Sequence, residues 1–194
     1  MCWQMAWLFL RRPKKAFAAQ AKTPMDRAFL YYLKLSVVSA LLWGLATAVQ
    51  TTQIPAGLTG VLFLTALGAV GVYVISVVLA PVLALWTHLW VYLLGGRKGL
   101  DQTMKATFYA STPTLLFSWI PYIIFASILW DVGLSIMGVR TYQKMGTGRA
   151  AVAVILPNAI ILALIGLFSL LMMELSSASG LDLGTGGGLL FDGR

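Results

Sequence analysis

Three polar side chains lie inside long apolar stretches of the sequence, where an ionisable group is costly to bury and is a candidate for function. Asp131 is the strongest of them, because it falls near the middle of the apolar run over residues 121–139. At that depth a carboxyl group could bind a proton or a cation, or pair with a base on another helix. The alternative is a protonated or hydrogen-bonded Asp131 that only fixes helix packing, or one that lies at the interface.

His88 and Asn158 complete this candidate intramembrane polar site. His88 lies in an aromatic stretch, where a lone histidine is more often an interfacial hydrogen-bonding residue than a ligand. Asn158 follows Pro157 and could bind the carbonyl that this proline frees, or a substrate. The sequence contains no evidence that His88 and Asp131 pair.

Basic residues flank the apolar segments and do not form a separate basic domain. This arrangement favours anionic lipid headgroups or a cytoplasmic protein as the partner, and argues against nucleic acid. We call the candidate contact surface the basic face; it comprises Arg11, Arg12, Lys14, Lys15, Arg97, Lys98, Arg140, Lys144 and Arg149. The alternative is that these charges only orient the protein in the membrane.

The residue counts argue against most catalytic chemistry. The chain has 1 Cys and 1 His, too few for a disulfide within the chain or a structural zinc site. The H-E-x-x-H, G-x-S-x-G and G-x-x-x-x-G-K-[ST] motifs are absent from the sequence. We therefore expect a non-enzymatic protein with no catalytic residues, no metal and no cofactor.

The overall composition excludes an ordinary soluble domain and a disordered chain. Of the 194 residues, 59% are hydrophobic and 10% are charged, whereas a soluble domain carries about 25% charged residues. The formal net charge is +8. The sequence therefore predicts an all-α, multi-pass integral membrane protein, which we place in the cell membrane, with a possible homo-oligomeric state.

Apolar runs locate the first spans. Residues 29–49 form a run of 21, and small residues at 36, 40, 44 and 48 share one helix face, which allows close packing. Residues 58–94 are apolar for 37 positions, so one straight helix would be about 55 Å long. Because Pro81 offers a break or kink, we expect residues 58–79 to cross and the remainder to approach or follow the interface.

The second half of the chain is less easily divided. If residues 107–139 cross twice, the turn lies near residues 118–121, and the first arm starts near Leu100 or is short or re-entrant. Residues 150–173 form the last span. Residues 29–173 are therefore the predicted transmembrane domain, and the Gly- and Ser-rich residues 174–194 a flexible tail.

Residues 1–28 have the composition of a basic segment that lies on an anionic membrane surface. Its predicted apolar anchors are Trp3, Trp7, Phe9, Leu10 and Phe17. A solvated tail whose charges only fix orientation is an equal alternative.

The charge distribution predicts the topology. Cytoplasmic loops carry the excess of Lys and Arg, and the basic stretches are residues 1–34, 95–105 and 140–149. If all three share one side, an even number of crossings separates each pair. This gives five spans, with the N-terminus inside and the C-terminus outside. A four-span alternative, with 107–139 as one tilted helix, puts residues 140–149 outside.

The order of these features resembles the Yip family, named for Ypt/Rab-GTPase-interacting proteins (the "Yip-one" domain). Residues 10–17 (LRRPKKAF) are similar to the family's opening Leu-x-x-Pro-x-x-x-Phe, and residues 95–99 (GGRKG) to its Gly-Gly turn. Residues 108–113 (FYASTP) are similar to its Tyr-Ala-x-x-Pro. Further similar stretches are 119–121 (WIP), 128–130 (ILW), 138–140 (GVR) and 147–150 (TGRA).

The resemblance covers about residues 8–170 and implies a five-span protein with a cytoplasmic N-terminus. Eukaryotic members act in vesicle traffic and bind prenylated Rab GTPases through cytoplasmic parts. This sequence lacks their long N-terminal cytoplasmic domain and looks more like the short bacterial and archaeal members, so we do not expect Rab binding. The leading expectation is a membrane-organising or scaffold protein, and the alternative is a small transporter or channel that uses Asp131 and proline-broken helices.

Overall fold

The computed structural model describes residues 2–51 and 57–178, and all regular elements in these ranges are helices, which confirms the all-α class. Four helices in these ranges are long and apolar enough to cross a membrane, namely α3, α4, α7 and α8. The helices are α1 (Cys2–Arg11), α2 (Pro13–Ala19), α3 (Met25–Thr51), α4 (Gly57–Leu93), α5 (Leu100–Ala110), α6 (Thr112–Phe117), α7 (Ile123–Gln143) and α8 (Thr147–Ala178).

The chain divides into two compact units after Pro157. The described part of the second unit is the C-terminal portion of α8, which ends at Ala178, five residues beyond the predicted end of the last span. The rest of the predicted tail, residues 179–194, lies outside the described residues, as do residues 52–56 between α3 and α4. The contacts discussed below belong to the first unit.

Helices α3 and α4 form an antiparallel pair, and the predicted small-residue face of α3 lies in their interface. Ser36 and Ala40 are buried, and a Cβ added at Gly44 would lie 3.1 Å from the Cβ of Ala69 on α4. Away from this interface α4 presents Leu, Val and Ile side chains that are more than half exposed, such as Leu58 and Leu62. Such a surface is unstable in water and suits the hydrocarbon of a bilayer.

Of the break or kink expected at Pro81, the break is wrong, because α4 is one continuous helix of 37 residues that contains this proline. In hydrocarbon an unpaired backbone group costs several kcal/mol, so a proline that removes one hydrogen bond is tolerated where a full break is not. At about 1.5 Å per residue α4 is about 55 Å long, which exceeds the hydrocarbon core of about 30 Å. The helix is therefore longer than the hydrocarbon core is thick, and its last turns continue the same helix beyond Pro81.

Residues 107–139 form a helical hairpin, and the predicted reversal near residues 118–121 is confirmed. Helices α5 and α6 make the first arm from Leu100, and α7 makes the second, beginning at Ile123 after the turn. Thr114 near the turn contacts the first half of α7, whereas Gly99 at the open end contacts Gln143 at the last residue of α7. The single tilted helix of the four-span alternative is therefore wrong.

The N-terminal segment differs most from expectation, because Phe9 and Phe17 are core residues and not membrane anchors. Both rings are fully buried, whereas Trp3 and Trp7 remain exposed. Pro13 occupies the first turn of α2, where its missing N–H costs nothing, so a new helix begins directly after α1. This redirection brings Phe9 and Phe17 edge-to-face, with ring centroids 5.0 Å apart.

Candidate functional site

Gln143 holds the turn at residues 95–99 against the C-terminal end of α7. Its side chain is 3% exposed. The amide Nε2 donates to the Gly99 carbonyl at 2.8 Å and to Thr103 Oγ1 at 2.9 Å, while the Lys98 backbone N–H donates to Oε1 at 2.9 Å. The three hydrogen bonds of this buried amide therefore hold the basic turn at residues 95–99 beside the basic loop at residues 140–149.

The N-terminal helices join the same end of the first unit. The Phe17 ring packs edge-on against Tyr142, with centroids 5.7 Å apart. The Lys105 ammonium donates to the Ala21 carbonyl at 3.0 Å and lies 4.9 Å from the centroid of the Tyr142 ring. The three basic stretches that the charge distribution groups together therefore lie at one end of the unit, which we call the basic end.

A cavity of about 520 Å³ at the basic end is lined by three cations from two elements. Lys14 comes from α2, Arg140 from the last turn of α7, and Lys144 from the residue that ends this helix in the left-handed conformation, with φ 54°. Met137 and Met145 supply apolar wall, and none of the described lining residues is acidic. We call Lys14, Arg140 and Lys144 the basic cleft; its chemistry suits an anion such as a phosphate.

Of the other members of the basic face, two lie beside this cleft. Arg12 and Lys15 line a smaller cavity of about 240 Å³ that shares Lys14. The Arg11 guanidinium lies over the Trp7 ring, 4.1 Å from its centroid, and Arg97 lies over Tyr92 at the same distance. The remaining two, Lys98 and Arg149, are exposed.

Asp131 lies in the first half of α7 and is bound by hydroxyl groups. Thr114 Oγ1 on α6 donates to Oδ2 at 2.9 Å, and Ser135 Oγ, one turn further along α7, donates to Oδ1 at 3.2 Å. The structure shows no basic partner for Asp131 among residues 2–51 and 57–178. This carboxyl group therefore links the two arms of the hairpin through its hydrogen bonds.

His88 is not among the hydrogen-bond partners of Asp131. The imidazole Nδ1 of His88 hydrogen-bonds to Thr103 Oγ1 at 2.8 Å, and Thr103 in turn contacts Gln143. His88 thus belongs to the hydrogen-bonded network at the basic end. Asn158 is the first residue of the second unit, inside α8.

Sequence reasoning did not find Thr103, Lys105 and Gln143 as site residues, although they organise the basic end. All three are nearly fully buried. Polar residues on a short helix or at a helix end are usually solvated. The burial of these three depends on partners up to 84 positions away, such as Ala21 for Lys105. Spacing along a single helix contains no signal of such contacts.

The described residues offer no place for a metal by the usual ligands. In residues 2–51 and 57–178 no three His, Cys, Asp or Glu side chains come together in a group that could hold an ion. The described side chains could bind an anion through the cations at the basic end, and Asp131 could bind a proton or a cation.

The comparisons with known proteins agree with this architecture. No curated protein and no solved structure matches the chain. The family model described as the Yip1 domain matches residues 7–170, which includes α2 to α7, the second half of α1 and most of α8. This chain is therefore a multi-pass membrane protein that belongs to the Yip1 domain family.

Proposed function

We propose that this chain is a non-enzymatic, membrane-organising protein that binds anionic lipid headgroups through the basic cleft. The observation that carries the proposal is the convergence of Lys14, Arg140 and Lys144 on one cavity without an acidic side chain in its described lining. Like charges held this close repel one another, and a bound phosphate relieves that repulsion. We further propose that the basic end faces the cytoplasm of the cell membrane, where anionic lipids attract Lys and Arg.

Removal of the three cleft cations should weaken the preference for anionic lipid by the share that the basic cleft contributes. Each Lys or Arg near an anionic surface contributes about 1 kcal/mol. We therefore expect Lys14→Gln/Arg140→Gln/Lys144→Gln to weaken binding of phosphatidylglycerol, relative to phosphatidylcholine, by about tenfold or more. Native mass spectrometry of the purified protein with each lipid measures this ratio.

A control variant separates the cleft from the overall charge. Lys22→Gln/Lys98→Gln/Arg149→Gln removes three exposed positive charges that do not line the basic cleft, and we expect it to keep most of the preference. Equal ratios for the wild type and the cleft variant would refute lipid binding at the cleft. In that case, loss of one protein from a crosslinked pull-down with the cleft variant would indicate a protein partner there instead.

Asp131 supports a second candidate function, a small transporter or channel for an ion or solute. A carboxyl group with two hydroxyl partners could hold a proton or cation, but α4 and α8 run continuously through Pro81 and Pro157 and offer no unwound segment there. If the first proposal is correct, proteoliposomes that contain the protein show no more proton or potassium flux than vesicles without it. A flux that Asp131→Asn abolishes and Asp101→Asn leaves intact would favour the transporter.

A further inference from the structure

A second cavity at the basic end, between α1 and α3, is separate from the basic cleft. Its volume is about 490 Å³, within the range of about 300–1,000 Å³ that is usual for small-molecule sites. Met5 and Leu8 of α1 and Leu30 of α3 form apolar walls. Arg27 and Lys34 of α3 add two cations, and none of the described lining residues is acidic.

The two cations lie on one face of α3, on either side of a buried aromatic floor. Arg27, Tyr31 and Lys34 follow at i, i+4 and i+7, so they share a face over about 10 Å of helix rise. The Tyr31 hydroxyl is already hydrogen-bonded to Thr112 Oγ1 at 2.9 Å. Tyr31 is 3% exposed and Tyr109, also in the floor, is fully buried. The floor is therefore part of the packed core, and Arg27 and Lys34 are the charged groups of the lining that can bind a ligand, beside the polar side chains of Gln4, Gln20 and Thr23.

Lys34 is a charged residue within a largely apolar helix. It lies nine residues, or about 13 Å, after the start of α3, inside a helix that is apolar enough to cross a membrane. An exposed ammonium on such a helix reaches back to the interface or takes a counter-charge. Arg27, two turns closer to the helix start, gives a second cation at the level of the interface. An anionic group between the two compensates both.

These features together define an amphiphile as the ligand. A free anion would use the cations but gains nothing from the walls of Met5, Leu8 and Leu30. We propose that this cavity binds one anionic phospholipid from the leaflet at the basic end. The phosphate lies between Arg27 and Lys34, and the first part of an acyl chain lies along the apolar walls. The site uses none of the basic-cleft residues, so it goes beyond the proposed function and does not depend on it.

Native mass spectrometry with phosphatidylglycerol tests the proposal. We expect Arg27→Gln/Lys34→Gln to lose one tightly bound phosphatidylglycerol, with its affinity reduced at least tenfold, and Lys14→Gln/Arg140→Gln/Lys144→Gln to retain it. Lys98→Gln/Arg149→Gln removes the same charge from exposed residues that do not line this cavity, and it should retain the lipid as well. Leu30→Trp fills the cavity without removing charge, and it should also displace the lipid.

The outcomes separate this proposal from the function proposed above. Unchanged phosphatidylglycerol binding in the Arg27→Gln/Lys34→Gln variant overturns the lipid site, whatever the basic-cleft variant does. If inorganic phosphate competes with the lipid and Leu30→Trp has no effect, the cavity is an anion site and the lipid assignment is wrong. Since Arg27 and Lys34 are exposed, retention of the wild-type melting temperature verifies that the double variant is folded.

Discussion

We expect Phe9→Ala to lower the free energy of unfolding by about 3–5 kcal/mol, the usual loss for a buried phenylalanine. The Phe9 ring is fully buried and stacks on Tyr109 of α5, with centroids 4.8 Å apart and planes 17° from parallel. It also packs edge-on against Phe17 of α2. Truncation leaves a cavity where the N-terminal helices meet the hairpin, so α1 and α2 should detach from the rest of the first unit.

Trp3→Ala is the matched control for this prediction. Trp3 lies on the same helix but is 65% exposed, so its loss should change stability by about 0.5 kcal/mol or less. Unfolding in mixed detergent micelles measures both variants. Faster trypsin cleavage after Arg11 and Lys14 in Phe9→Ala reports detachment directly. If the two variants are equally stable, α1 is a surface helix and the sequence-based interpretation of residues 1–28 was right.

The residue pattern along single helices and the distribution of charge along the chain predicted much of this fold. The small residues along α3 predicted its close packing, which Gly44 and Ala69 confirm. The reversal near residues 118–121 followed from the requirement that basic loops share a side, a constraint that acts along the whole chain. Hydropathy and charge are sufficient to predict these features because a segment that spans the bilayer must satisfy its own backbone hydrogen bonds. Only a few numbers of spanning helices are then possible.

The remaining features depend on contacts between distant residues. An aromatic side chain in a basic segment has the same local signature whether it enters a membrane interface or a protein core. Only the partners of Phe9 and Phe17, Tyr109 and Tyr142, decide between the two. The cleft joins Lys14 to Arg140 across 126 positions, and no spacing rule reaches that far. Arg27 and Lys34 did leave a signal, the shared face at i and i+7, which a search for cation pairs on amphipathic faces would have found.

The second large effect we expect is an all-or-none difference in labelling between the two ends of the α5–α7 hairpin. In a Cys2→Ser background, Lys98→Cys and Gly146→Cys should react with a membrane-impermeant maleimide only after the cells are permeabilised. Tyr122→Cys, at a turn residue that is 87% exposed, should react in intact cells. The reason is geometric: Gln143 holds the loops at 98 and 146 together, while residue 122 lies at the opposite end of α7.

Each other labelling pattern contradicts a different part of this topology. If residue 122 is protected in intact cells together with residues 98 and 146, the hairpin is re-entrant and does not cross. If residues 98 and 146 react in intact cells while 122 does not, the insertion is inverted, and the basic end cannot bind cytoplasmic lipid. If 146 reacts and 98 does not, the hydrogen bonds between Gln143 and residues Lys98 and Gly99 do not form in the membrane. That last result would also place Lys144 and the turn at residues 95–99 on opposite sides of the membrane.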